Sequence, residues 1–541
     1  MENPVVGHLV DHGLFILIFT LTPFKKEVHS MARRKTKKKN HWIPKMVVGS
    51  ALLCGISTVF AAPPTPSLIN TIEDSFQINA FDLTNMEVPA DLVDQFTSTF
   101  SYEGVDYVME MAAHSIRSEQ FQVLTPDDNG NLVPHAIPAP QTYRGYINGI
   151  PGSVVSGSLI DGQFYGMVFV ADGITWEIDP LTKAIPGSDP NQYVIFASTD
   201  IRLNDGFCIE VDPTNGNQNK EGLFGQDNGI QVGGLESPQA LKFAEIACDA
   251  DFEYFQKNGS SVANTVNDIE NLLADVDTIY QRDVEVGYEI TTIIVRDKEP
   301  DPYTSTDPGT LLNQFRNEWN ANQTGIQRDI AHMFTGKNIN GGVIGIAYLS
   351  VICNKSSGYG LVQSRYTSNK TSRACLSAHE LGHNWSAQHC DGNGDCRIMC
   401  SFINGCNHDC TRFGQSSINQ ITNFKNSRSC LSDAPTFKLD INPPPPLMGG
   451  SQVDWVAKNG QAGAQVALFY SIKGQGLTEV APGIFIELQN PVLIPPLQNL
   501  DGSGSASWPV QLPNVDIRVF TQVVDEFANL TNLRFDDIIK Q

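Results

Sequence analysis

Residues 379–389 read His-Glu-Leu-Gly-His-Asn-Trp-Ser-Ala-Gln-His. If the segment begins as a helix, His379 and His383 lie one turn apart on the same face. Two imidazoles so placed can grip one metal ion, and Glu380 beside them can reach a metal-bound water without being a ligand. His389 follows six residues after His383, too far along a straight helix to join the same site. A turn in between brings it back and gives three nitrogens on one zinc, with a fourth position open for water. Three protein ligands plus water is the pattern of a catalytic zinc site, whereas structural sites are closed by four protein ligands.

An isolated H-E-x-x-H occurs by chance on many helices. The third histidine makes the pattern specific, and so does Met399, ten residues further on in Cys396-Arg397-Ile398-Met399-Cys400. With Gly382 and Asn384, these residues make the chain resemble the metzincin zinc peptidases, whose signature is H-E-x-x-H-x-x-G-x-x-H followed by a Met-turn. Within that clan it is most similar to the reprolysin (adamalysin-like) branch, in a bacterial-looking secreted form. The resemblance implies one catalytic Zn2+ on His379, His383 and His389, with hydrolysis of peptide bonds in protein or peptide substrates. Glu380 is then the general base, taking a proton from the zinc-activated water and delivering it to the leaving amine. Met399 is expected to form an apolar floor under the ligands. The resemblance also implies a Cys353–Cys430 disulfide.

Two positions depart from the pattern. Ser386 stands where the family has glycine, at a point where the chain leaves the helix in a left-handed conformation. That conformation costs a residue with a Cβ about 1–2 kcal/mol. Cys390 stands where reprolysins generally carry aspartate.

In metzincins one edge strand runs antiparallel to the others above the cleft and pairs with the substrate backbone. Gly345–Leu349 resembles that strand, so Gly345, Ile346 and Ala347 are candidate substrate-binding residues by strand addition. A buried core strand is the alternative. Many propeptides of this branch also use one cysteine thiolate as the fourth zinc ligand. Cys208 is the single cysteine between the expected signal and the expected cut, although its neighbours are not the usual ones. The competing reading is a Cys208–Cys248 disulfide, which would make even the nine cysteines of residues 240–432.

The chain has 541 residues, 41% of them hydrophobic, enough for several domains with ordinary cores. Its net charge of -23 excludes nucleic-acid binding by bulk electrostatics. The basic residues Arg33, Arg34, Lys35, Lys37, Lys38, Lys39 and Lys45 crowd one stretch, followed by an apolar run to Ala62 and then Pro63-Pro64. That order reads as a secretory signal peptide, with translation starting at Met31. No stable membrane span is expected once it is removed, and the protein is expected to be extracellular or associated with the cell surface. Eight of the eleven cysteines lie between Cys353 and Cys430, a disulfide framework in an exported chain. A second zinc site built from Cys396, Cys400, Cys406 and Cys410 competes with it. Structural Ca2+ is compatible with the acidic surplus, but no D-x-[DN]-x-D loop indicates one.

The expected fold is an α/β (α+β) metzincin-like zinc peptidase domain, preceded by a β-rich propeptide and followed by a small all-β sandwich module. Residues 1–62 are read as extension and signal, and 63–235 as a β-rich region with hairpins around Gly149-Ile150-Pro151-Gly152 and Asp161-Gly162. It resembles the propeptide that precedes reprolysin catalytic domains; a stable β-domain kept in the mature protein is the alternative. The end of this region, Asn215–Gly234, is Gly/Asn-rich and reads as a cleavable linker. The catalytic domain spans 240–432. In it, Val262, Val266, Ile269, Leu272, Leu273, Val276, Ile279 and Tyr280 recur with helical period. Residues 433–450, with Pro443-Pro444-Pro445-Pro446, read as a stiff spacer. Residues 451–541 read as the sandwich, which binds a surface or a glycan. Two other functions fit the same motif: a zinc amidase acting on cell-wall peptides, and a non-catalytic secreted adhesion or binding protein that keeps the zinc fold.

Overall fold

The computed structural model describes residues 66–150, 153–170, 174–203, 205–213, 241–406, 408–433, 437–481, 484–525, 530–531 and 534–540. The signal peptide, the Met31 start and the Asn215–Gly234 linker lie outside the described residues.

Nine strands form the central sheet: β1 (Arg117–Pro126), β2 (Leu132–Pro134), β3 (Phe207–Val211), β4 (Lys242–Ala250), β5 (Val286–Val295), β6 (Ile330–Phe334), β7 (Val343–Tyr348), β8 (Tyr359–Val362) and β9 (Ser432–Asp433). Their order is β3-β7-β8-β6-β4-β5-β1-β2, with β9 against β4. Strands β5, β4, β6 and β8 run parallel, and β7 is antiparallel to β8. Helix α1 (Val262–Val284) connects β4 to β5, and α2 (Pro308–Asn322) connects β5 to β6. Parallel neighbours need such crossovers.

The helices that pack on this sheet around the site begin where a side chain caps them. Ser261 accepts from Asn264 N–H ahead of α1, and Asp307 accepts from Thr310 N–H ahead of α2, with Pro308 at the first turn. The apolar stripe read in α1 is buried from Val266 to Tyr280, with Val262 at its start partly buried. The site helix, α3 (Lys370–Asn384), starts at Asn369, whose side chain accepts from Ser372 N–H at 2.8 Å.

Residues 82–197 supply an eight-stranded antiparallel sheet running from Asp82–Asn85 at one edge to Gln95–Tyr102 at the other. A short helix, Pro66–Phe76, packs Ile72 and Phe76 beside it. The region read as a separate propeptide does more than this. Its strands β1 and β3 join the central sheet at opposite ends, β1 on β5 and β3 on β7, both in parallel. Val123, Leu124, Ile209 and Val211 enter the same apolar cluster as α1 and β4.

Beyond residue 437, two sheets face each other around Trp455, Trp508, Leu468 and Val523. One has three strands and the other five, and a two-stranded ribbon lies alongside. The spacer reading of 433–450 is corrected here. Lys438–Asn442 pairs with Gln452–Lys458, and Leu447–Met448 pairs with Arg534–Ile539. Leu439, Ile441 and Leu447 are buried in the module, so the four prolines form the bend between two of its strands. Among the described residues, no helix is long and apolar enough to cross a membrane.

Candidate metal centre

Helix α3 ends at Asn384, and the chain turns sharply. Ser386 adopts φ +81°, the left-handed conformation that the glycine position demands, and its Oγ lies 2.8 Å from Ser350 Oγ. The turn is closed by Ala387 N–H donating to Gly382 O at 2.9 Å. It carries His389 back over the helix. The three Nε2 atoms then lie 3.0 Å (His379 to His383), 3.1 Å (His379 to His389) and 3.2 Å (His383 to His389) apart.

These contacts are not hydrogen bonds among the rings. His379 Nδ1 faces Ile398 O and His383 Nδ1 faces Ala387 O, both at 2.7 Å, so each Nδ1 carries the proton and each Nε2 a lone pair. Burial pushes His379 down to about 3 and His389 down to about 4, and it lowers His383 as well. Neutral imidazoles with converging lone pairs repel one another unless a cation lies between them. Tetrahedral nitrogens at zinc's usual bond length would stand roughly 3.3 Å apart. The donor set therefore fits zinc, and the carbonyls behind the rings are the orienting partners such ligands need.

Glu380 is fully buried on the next position of the helix, and burial pushes its carboxyl well above the usual carboxylate range. Apart from the Cys208 thiol at its side, neither oxygen has a hydrogen-bond partner among the described residues. Met399 is buried beneath α3. A Cβ on Gly382 would lie 2.6 Å from its sulfur, so the missing side chain at 382 lets the Met-turn close against the helix. The Cys390–Cys396 and Cys400–Cys406 disulfides brace the loop on either side, and Cys375–Cys410 ties it to α3. Cys353–Cys430 also forms. The cysteine zinc site at Cys396, Cys400, Cys406 and Cys410 is thereby ruled out, because all four thiols are spent on disulfides. Cys208 and Cys248 are both free and buried, so the disulfide between them is not formed either.

Strand β7, with Gly345, Ile346 and Ala347, is antiparallel to its inner neighbour, but its outer edge is not open. β3 lies along it, with Cys208 opposite Gly345 and Glu210 opposite Ala347. On its other side, Cys208 N–H donates to Ser401 O at 2.8 Å, so β3 is threaded between β7 and the Met-turn loop. Residues 208 and 210 point to the same face, as alternate strand residues must. Cys208 Sγ, a His379 nitrogen and a Glu380 oxygen fall within 4.8 Å of one another. Burial and the Glu380 carboxylate push the thiol up.

Glu210 was not singled out from the sequence. Its Oε2 accepts from His389 N–H at 3.2 Å and lies 3.4 Å from His383 Nδ1. The alternation Cys208, Glu210 was the available signal. Asn384 was noted only as part of the motif. Its Nδ2 donates to Tyr348 O and Tyr359 O, pinning the end of α3 to β7 and β8.

Three convergent imidazoles beside a buried carboxylate form a group that can hold a divalent metal next to a proton acceptor. Residues 266–390 match the family described as Metallo-peptidase family M12B Reprolysin-like, a span that takes in all three histidines and Glu380. The chain is 24% identical to human (Homo sapiens) disintegrin and metalloproteinase domain-containing protein 33, over 58% of this chain and 38% of that protein. It is 24% identical to mouse (Mus musculus) disintegrin and metalloproteinase domain-containing protein 19, over 46% of this chain and 26% of that protein. It is 24% identical to the snake venom metalloproteinase trimerelysin-2 of Protobothrops flavoviridis, over 36% of this chain and 98% of that protein. The chain thus carries a reprolysin-like M12B metallopeptidase domain, and its match spans well under half of the two longer relatives.

Proposed function

We propose that the protein is a secreted zinc-dependent endopeptidase, made in a latent form, with Glu380 as its general base. The observation that carries this reading is the meeting of the His379, His383 and His389 Nε2 atoms within 3.0–3.2 Å of one another, next to a buried carboxylate. Zinc held by these residues supplies a Lewis acid that polarises the scissile carbonyl and makes water a better nucleophile at neutral pH. The protein's own part is to place and move a proton. Glu380 accepts it from the attacking water and returns it to the departing amine, work that contributes about 10²–10⁴-fold in enzymes generally. Ile398 O and Ala387 O hold two of the imidazoles in the tautomer that leaves Nε2 free. A protein or peptide substrate would add as a strand to Gly345, Ile346 and Ala347 once β3 has left that edge.

Latency is supported by β3 itself. It takes up the pairing edge a substrate needs and sets the Cys208 thiol against His379 and Glu380. Cys208 is the candidate fourth ligand in the uncut chain. Secretion is supported by the basic and apolar order of residues 33–62 and by the four disulfides. The C-terminal sandwich is the candidate for holding a surface or glycan.

Casein zymography of the processed protein, with and without a chelator, tests the reading. Clearing that the chelator abolishes and added zinc restores is expected. Digestion of cell-wall peptides but not casein would favour the amidase. Bound zinc without any hydrolysis would favour the binding protein.

A further inference from the structure

The two ends of the central sheet are covered very differently. On the cleft side β3 is five residues long and lies near the end of the upstream region, just ahead of the stretch expected to be cut. On the far side β1 is ten residues long and lies deep within that region. Ile290 N–H donates to Ile116 O at 2.7 Å, and Val123 and Leu124 pair with Ile293 and Ile294. Gln122 Nε2 donates to Thr292 Oγ1 at 3.2 Å.

The same region covers the outer face of α1 and the start of α3. Arg117 forms a two-armed pair with Glu270, with Nη2 to Oε2 at 2.8 Å. Arg144 Nη2 lies 2.5 Å from Asp277 Oδ2, and Ser158 Oγ donates to Asn271 Oδ1 at 2.7 Å. Glu270, Asn271 and Asp277 are all buried. Glu177 accepts from the backbone N–H groups of Lys370 at 3.1 Å and Thr371 at 2.9 Å, so a carboxylate of the upstream region sits on the first turn of the site helix. Ile116, Val123, Leu124, Met167 and Phe169 share one apolar cluster with α1 and β5. Stripping this surface away would bare an apolar sheet edge, which proteins avoid.

We propose that processing nicks this protein without releasing its upstream half. Residues 66–213 stay bound to residues 241–541 as a second subunit, seated on β5 and α1, while only the β3 end is freed from the cleft. The partner of the far sheet edge is thus a fragment of the same chain. The proposal rests on the reading of Asn215–Gly234 as a cleavable linker, with processing between it and Lys242.

The test replaces part of 214–240 with the recognition site of a sequence-specific protease, in full-length protein carrying Glu380→Ala to prevent self-digestion. After the cut, size-exclusion chromatography with mass detection in 0.5 M salt is expected to show both fragments co-eluting one to one at micromolar concentration (about 1 μM corresponds to 8 kcal/mol of binding). Arg117→Glu with Arg144→Glu is expected to speed dissociation at least about tenfold, and adding Glu270→Arg with Asp277→Arg is expected to reverse that. Separation of the wild-type fragments directly after the cut would overturn the proposal. So would retention indifferent to both charge reversals. If the charge-reversed chains do not fold, co-elution of the wild-type fragments decides the matter alone. None of these readouts depends on catalysis, so a failed peptidase assignment and a failed retention are told apart.

Discussion

Gly345 is the residue against which Glu380 is packed. A Cβ built on Gly345 would lie 2.1 Å from Glu380 Oε1 and 2.7 Å from its carboxyl carbon. Strand β7 can approach α3 this closely because residue 345 has no side chain. Gly345→Ala must therefore shift either the strand or the carboxylate. The expected result is a fall in kcat/KM of at least about tenfold, equivalent to 1.4 kcal/mol of transition-state stabilisation. Bound zinc should stay at one per chain by elemental analysis. Full activity in this variant would show that Glu380 does not need its present position.

Glu380→Ala removes the proton acceptor and leaves the three imidazoles untouched. Hydrolysis of a quenched peptide should drop by roughly 10²–10⁴-fold, with zinc still bound. A variant that cleaves at the wild-type rate would remove Glu380 from the mechanism.

Glu210 holds the N–H of His389 from the neighbouring strand. In the uncut protein, Glu210→Ala should loosen β3, and Cys208 should react with iodoacetamide roughly tenfold faster, about 1.4 kcal/mol of lost protection. Glu210→Gln keeps an oxygen acceptor and should stay near the wild-type rate. Peptide mapping separates Cys208 from Cys248, the other free thiol among the described residues. Equal labelling in all three proteins would mean that Glu210 does not restrain the strand.

Asp251 gives a pH dependence with a definite sign. Burial pushes its carboxyl up to about 7, against the pull of hydrogen bonds from Thr335, Gly336 and Tyr254. Its folded pKa is then above the unfolded value near 3.9. The folded state binds more protons than the unfolded state between those limits, so stability falls as pH rises from about 4 to about 7. Asp251→Asn retains an oxygen for the N–H groups of Gly336 and Tyr254, which both bond Oδ1 at 2.8 Å. The variant should lose this slope and be more stable than wild type at pH 8, by at most about 4 kcal/mol for a carboxyl raised from about 4 to about 7. From this is subtracted the loss of the Thr335 hydroxyl bond to Oδ2, which an amide nitrogen cannot accept. Urea unfolding at pH 5 and pH 8 measures it. A variant less stable than wild type at pH 8 would show that the hydrogen bonds outweigh burial.

What could be read along the chain was whatever has a local period or a fixed spacing. The stripe from Val262 to Tyr280 repeats with the helix turn, and all of it beyond Val262 lies buried on α1. His379 and His383 are one turn apart, and Ser386 sits where φ had to be positive. The bend at Pro443–Pro446 was read with the wrong scope. A proline run has the same local signature in a spacer as in a turn between two strands, and only the partners of Leu439 and Leu447 distinguish them.

By itself, the sequence determined the candidate ligand types, their spacing, the helix that carries two of them and the strained turn that returns the third. The tertiary structure alone decided that β3 covers the candidate substrate edge, that β1 joins the far end of the sheet, and how Cys375, Cys390, Cys396, Cys400, Cys406 and Cys410 pair. Backbone hydrogen bonds between strands are the same for any residue types. Pairing is therefore chosen by which distant segments can bury their apolar faces together, a property of the closed chain and not of any window along it.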